Sequence, residues 1–156
     1  MSQHGLSQHH KINKMTNTFN RVLVAIDGTS QDCHLMKYIW FLLNQFDFKA
    51  IHFIHILPGS DTHKVVKGKE DFFLEHQAVL KKHTCQHLAK EIQPFFDYKK
   101  SLKVTLEVFS GAPQYLIESI AKKQKVDLLI LGKKRLSHGS GVIARRIAQR
   151  IDASVL

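Results

Sequence analysis

No stretch of the sequence approaches the roughly eighteen uninterrupted apolar residues that a membrane-crossing helix needs. The amino terminus, MSQHGLSQHHKINKMTNTFN, also lacks the apolar core and small-residue cleavage site of a secretory leader, so the chain is expected to be cytoplasmic. Cysteine is scarce. Cys33 and Cys85 stand in segments of helical pattern, with no CxxC pair and no ligand cluster beside either, and both read as structural thiols. Acidic residues are outnumbered, 13 Asp and Glu against 23 Lys and Arg, for a formal net charge of +10. That field favours anionic partners without choosing among them. Because the basic residues are not interleaved with exposed aromatics, no sequence-specific nucleic-acid partner is expected. Common nucleotide and nucleophile motifs are missing as well: there is no Walker A loop, no GxGxxG and no GxSxG elbow.

What the 156 residues do supply is enough chain for one domain with a proper core. Residues 1–19 are polar, carry His4, His9 and His10, and are expected to be a disordered lead-in, with the domain running from residue 20 to 156. From Arg21 onward, β-rich runs alternate with helical patterns, which predicts βαβ units and a parallel sheet covered on both faces.

The first run, RVLVAID, leads into a helical pattern in which Leu35, Ile39, Leu42, Leu43 and Phe46 share a face, and Thr29 with Asp32 resembles its starting cap. A second strand, AIHFIHILP, stops at Pro58. After a polar, turn-rich segment comes a long helix with Phe73, Leu80, Leu88 and Ile92 on one face, expected to end before QPFFDYKK. LKVTLEVF reads as the third strand. Pro113 suits the first turn of a helix carrying Leu116, Ile117, Ile120 and Ala121, and VDLLIL is a buried fourth strand. Ile143, Ile147 and Ile151, four apart, predict an amphipathic helix to about Asp152, and ASVL begins a fifth strand.

In an open parallel sheet, ligands bind beyond the carboxyl ends of the strands near a topological switch point. The loops AIDGTS and GKKRLSHGSG are therefore the candidates. Asp27 ends an apolar strand, where packing gives a carboxylate no reason to be. It reads either as an acceptor for a ribose or base, or as a turn aspartate beside Gly28. In the second loop Gly139 and Gly141 let backbone N–H groups converge, Ser140 adds a hydroxyl, and the following helix presents its positive end. Lys133, Lys134 and Arg135 could add charge-assisted contacts to phosphate, although the same loop also reads as a solvated basic turn. His138 and Ser140 do not form a nucleophile and base pair. His52 and His55, three apart in a strand, face opposite sides of the sheet and read as packing residues.

These motifs together resemble the universal stress protein (UspA-like) family from about Phe19 to Leu156. GAPQYLIESIAKKQKVDLLILG is similar to that family's GxP, helical and DLIVxG pattern, RVLVAIDGTS and the strand ending HIL are similar to its opening, and GVIARRIAQRIDASVL to its closing segment. The resemblance implies an α/β fold: a Rossmann-like (adenine nucleotide alpha hydrolase-like) three-layer sandwich with a five-stranded parallel sheet. In ATP-binding members it implies a nucleotide held between the two loops. Carried over position by position, Ala25 and Asp27 would lie by the adenosine, Ile56 beside the base, and Gly132, Gly141, Val142 and Ile143 along the phosphates and ribose.

Three residues or spacings depart from the pattern Gly-x2-Gly-x9-Gly-Ser/Thr of those members. Arg135 stands for the second glycine, only eight residues separate Gly132 from Gly141, and Val142 replaces the hydroxyl residue. The resemblance further implies a homodimer paired through the last strand. The sequence ends at Leu156, before that strand is usually complete, so the chain also reads as one half of a tandem protein. An ATP hydrolase is not expected, because no carboxylate pair for Mg²⁺ is evident near the phosphates. The expected function is a regulatory stress-response domain that binds ATP or another adenine nucleotide weakly. The alternative is a protein interaction module that binds none.

Overall fold

The computed structural model describes residues 17–59, 70–132 and 142–156. Its centre is β2 (Val22–Ile26), whose five residues are almost wholly buried because the strand carries helices on both faces. The chain then forms α1 (Asp32–Gln45), β4 (Ala50–Pro58), α2 (Glu70–Tyr98), β5 (Lys103–Gly111), α3 (Pro113–Gln124), β6 (Leu128–Leu131), α4 (Val142–Ala148) and β7 (Ser154–Val155). The sheet is parallel throughout, in the order β5-β4-β2-β6-β7. From β2 the chain steps outward to β4 and β5, then crosses back to place β6 on the other side of β2. The topological switch point therefore lies between β2 and β6.

Two apolar clusters sandwich the sheet. One joins Val22, Val24, Ile51, Phe53 and Ile130 to Leu35, Ile39 and Leu42 of α1 and Leu88, Ile92 and Phe95 of α2. The other joins Leu23, Ile54 and Leu129 to Ile117 and Ala121 of α3 and to Ile147 and Ile151. Alternate residues of each strand serve opposite clusters, as the pleat requires. The stripe of α1 is buried as its spacing predicts, and so are Leu88, Ile92, Ile147 and Ile151.

Several expectations change in detail. Thr18–Phe19, placed by the sequence in the lead-in, form a short strand, β1, that pairs parallel with β3 (Asp47–Phe48). Phe19 sets its ring edge-on against Phe46 and Phe48, and this aromatic contact gives the pair a reason to form. The second helix does not stop before Gln93 but continues through Pro94 to Tyr98. Phe95 supplies the reason: it is 1% exposed and packs on Trp40 and Phe53, while Pro94 is exposed, so the backbone bond it forgoes lies outside the core. Leu80, expected on the buried face of that helix, is exposed. The last helix ends at Ala148 rather than Asp152, in a turn closed by the Arg150 and Ile151 N–H groups on the Ile147 carbonyl. Neither cysteine is a core thiol: Cys33 is exposed and Cys85 half-buried. Among the described residues, no helix is long and apolar enough to cross a membrane.

Candidate functional site

The carboxyl end of β2 runs into Asp27, Gly28 and Thr29, and this turn is built by two aspartates. Asp27 Oδ1 accepts hydrogen bonds from the Thr29 N–H, at 2.9 Å, and from the Thr29 hydroxyl, which makes it an Asx-turn residue. Asp32 sits in the first turn of α1 and reaches back. Its Oδ1 accepts from the Asp27 N–H at 3.3 Å and its Oδ2 from the Gly28 N–H at 2.8 Å. The expected cap at Thr29 is thereby displaced: the N-cap residue is Gln31, without a side-chain bond, and the Thr29 carbonyl accepts from the Asp32 N–H.

Gly28 adopts φ +73°, a left-handed conformation that glycine alone takes without strain. A Cβ there would also lie 3.2 Å from the His55 ring. His55 is buried and donates through Nδ1 to the Ile26 carbonyl at 3.0 Å, fixing its tautomer and walling the turn from β4. The turn is thus held from α1 by a carboxylate and from β4 by an imidazole.

Asp32 is 3% exposed, and its pKa is raised above the ordinary aspartate value. Burial is the main cause, opposed by the bonds from the Asp27 and Gly28 N–H groups and reinforced by the nearby charges of Asp27 and Glu91. The cost is tolerated because an ionised carboxylate can satisfy both N–H groups at once.

Between this turn and the end of β6 opens a cleft of about 370 Å³. Asp27 and Asp32 form one wall, Gln31 at the N-cap with His34, Leu35 and Tyr38 of α1 another, and Leu131 and Gly132 the side toward β6. Its volume lies in the range of small-molecule sites, and it occupies the switch point between β2 and β6.

Of the residues singled out by sequence, Asp27 and Gly132 meet across this cleft. Ala25 and Ile56 do not line it; they are partly buried and pack with the α3–α4 cluster. Val142 opens α4 and Ile143 follows it. Lys133, Lys134, Arg135, His138, Gly139, Ser140 and Gly141 lie outside the described residues, as do His4, His9 and His10. His52 and His55 face opposite sides of the sheet, as expected: His52 meets Gln124 of α3 through Nδ1 and Glu107 of β5 through Nε2, at 2.8 Å.

Sequence reasoning missed Asp32 as the organiser of the turn. The available signal was a second aspartate five residues after Asp27, in the positive first turn of a helix. It also missed Gln31, His34 and Tyr38, although their spacing of three and four residues puts them on one helix face.

A family model matches residues 18–156, described as the universal stress protein family. No curated protein sequence matches the chain. Among solved structures, the chain is similar to universal stress protein UspA from Lactobacillus plantarum, with 15% identity, a TM-score of 0.72, and coverage of 90% of this chain and 98% of that one. It is similar to a universal stress protein family protein from Arabidopsis thaliana with AMP bound, at 18% identity and TM-score 0.53, covering 88% and 89% of the two chains. A universal stress protein in complex with cAMP is similar at 16% identity and TM-score 0.56, with 88% and 95% covered.

Proposed function

The chain belongs to the universal stress protein family, and from that premise we propose that the cleft between Asp27 and Gly132 takes an adenine nucleotide, whose occupancy is a regulatory signal rather than a step of catalysis. The observation that carries the proposal is the meeting of these two residues at the switch point of the sheet. Two structural neighbours that hold AMP and cAMP supply the ligand class. Asp27 Oδ1 is taken up by Thr29, which leaves Oδ2 to accept from the ribose hydroxyls. The Gly132 backbone meets the ligand from β6. Ala25 and Ile56, packed on the side of α3 and α4, back the strand ends that carry the site without lining it. Val142 and Ile143, with Lys133, Lys134, Gly139, Ser140 and Gly141 before them, form the phosphate side.

Binding is expected to be weak. Val142 lacks the hydroxyl that ATP-binding relatives are read to use, and a good hydrogen bond to a charged group is worth roughly 1.5–3 kcal/mol. The two carboxylates, Asp27 and Asp32, in one cleft also disfavour a polyphosphate more than a monophosphate. In this reading the protein acts in the cytoplasm as a dimer joined through β7. There Leu156 already continues the last strand, donating to the Leu129 carbonyl and accepting from the Leu131 N–H, both at 2.9 Å.

Calorimetric titration with AMP and ATP tests this reading. Micromolar to sub-millimolar AMP binding that Asp27→Ala abolishes supports it. Equal affinity in the variant would remove Asp27 from the site. The second reading, an interaction module with no nucleotide, is favoured by the acidic cleft and Val142; protein that takes up neither nucleotide at millimolar concentration would put that reading in front.

A further inference from the structure

We propose that a second copy of this chain pairs antiparallel along the outer edge of β5, about a two-fold axis through Thr105. This edge is distinct from β7, at the opposite end of the sheet, and the inference does not depend on a nucleotide.

β5 is a sheet edge nine residues long, with no proline and no break in its register with β4. Among the described residues, no strand pairs with its other side. A long edge of this kind offers a row of backbone groups for another strand. Which groups face outward follows from one bond: the Lys103 N–H donates to the Lys49 carbonyl at 3.0 Å, so Lys103 and the odd-numbered residues after it address β4. The N–H and C=O groups of Val104, Leu106 and Val108 therefore point away from the sheet. Leu102 donates instead to the Lys99 carbonyl, so free pairing begins at Lys103.

The sequence of this edge selects one occupant and one register. In an antiparallel pair centred on Thr105, Val104 of each copy lies opposite Leu106 of the other, and these two outward-facing residues exchange N–H···O=C bonds. Lys103 lies opposite Glu107 at both ends, in positions where cross-strand side chains come closest. All three of Lys103, Thr105 and Glu107 are exposed and on one face. Centring on Leu106 would instead oppose Lys103 to Phe109 and leave the charges uncoupled. Centring on Glu107 would set two carboxylates against each other. The edge is thus complementary to itself in charge at the register that its backbone also allows. With a net charge of +10 on each copy, pairing requires salt near physiological strength, where charges beyond about 8 Å are screened.

The register makes the test sharp. At the two-fold centre the paired Cα atoms approach to about 4.5 Å, within reach of a disulfide. Glu107 and its mate stand roughly 13 Å apart, four residues out of register. In full-length protein carrying Cys33→Ser and Cys85→Ser, Thr105→Cys should form an intermolecular disulfide under mild oxidation at least tenfold more completely than Glu107→Cys. Equal cross-linking at the two positions, or none at Thr105→Cys, would overturn the proposal. Sedimentation at about 0.15 M salt supplies a second reading: Lys103→Glu should weaken self-association through this edge about tenfold. Adding Glu107→Lys in the same chain should restore it, and failure to restore it would equally overturn the pairing. A dimer that relies only on β7 responds to neither change.

Discussion

The carboxylate of Asp32 closes on the backbone N–H of Gly28 at 2.8 Å, from a helix turn that comes four residues later in the chain. A turn at the end of a buried strand must orient its N–H groups without the ladder that served them inside the sheet. Here one buried side chain takes two of them, and the Asp27 carboxylate is left facing the cleft.

Removing that side chain tests its role directly. Asp32→Ala strands the Gly28 and Asp27 N–H groups, and we expect a loss of about 1–3 kcal/mol in urea denaturation. Affinity for AMP should fall together with stability, because the turn that aims Asp27 is released. A variant with unchanged stability would show that water replaces the carboxylate.

Acid should reveal the same residue by a different route. Asp32 has a folded-state pKa above its value in the unfolded chain, so its folded form holds the proton more tightly. The stability contributed by that proton is fully present below about pH 3.8, the unfolded value, and is lost as the pH rises through the higher folded value. Asp47, whose pKa is lowered chiefly by the Lys49 side chain, acts in the opposite sense, but equally in wild type and in an Asp32 variant. The stability of wild type minus that of Asp32→Asn should therefore rise as the pH falls from 7 toward 4. A difference that stays flat across that interval would contradict the raised pKa.

Gly28 is constrained from two directions at once, by φ +73° and by the His55 ring 3.2 Å from where a Cβ would stand. Gly28→Ala is expected to cost about 1–2 kcal/mol for the left-handed backbone alone. His55→Ala in the same chain would relieve the steric part only. The double variant should then lose less than the sum of the two single losses, and full additivity would mean that the ring simply moves aside.

Periodicity carried most of the fold, because burial in this molecule follows the spacing of apolar residues. The face formed by Leu35, Ile39, Leu42 and Leu43, and the run VDLLIL, were readable for that reason. The site was only half legible. Asp27 and Gly132 stand out at the ends of apolar strands, whereas Asp32 looks like any helix-starting acid until β2 and α1 are folded against each other. The lining by His34 and Tyr38 likewise depends on which face of α1 meets β6, a tertiary fact. Thr18–Phe19 escaped notice because two residues carry no period at all.

Pro94 escaped for the opposite reason: a strong local rule was overridden. Proline inside a helix removes one backbone bond and crowds the preceding turn, at a cost of about 3 kcal/mol. The helix continues because Phe95, one residue on, fills a buried position between Trp40, with ring centroids 4.6 Å away, and Phe53, at 5.4 Å. Truncating such a ring typically costs about 3–5 kcal/mol, enough to outweigh the proline. Two variants separate the terms. Phe95→Ala should destabilise the protein by that amount and shorten α2 from its carboxyl end, seen as faster amide exchange over residues 95–98. Pro94→Ala should stabilise it by about 1–2 kcal/mol, since the restored N–H bonds to the Lys90 carbonyl while the unfolded chain regains only part of the freedom that proline denied it. If Pro94→Ala instead weakens the fold, the proline is shaping the helix to deliver Phe95 rather than being carried along by it.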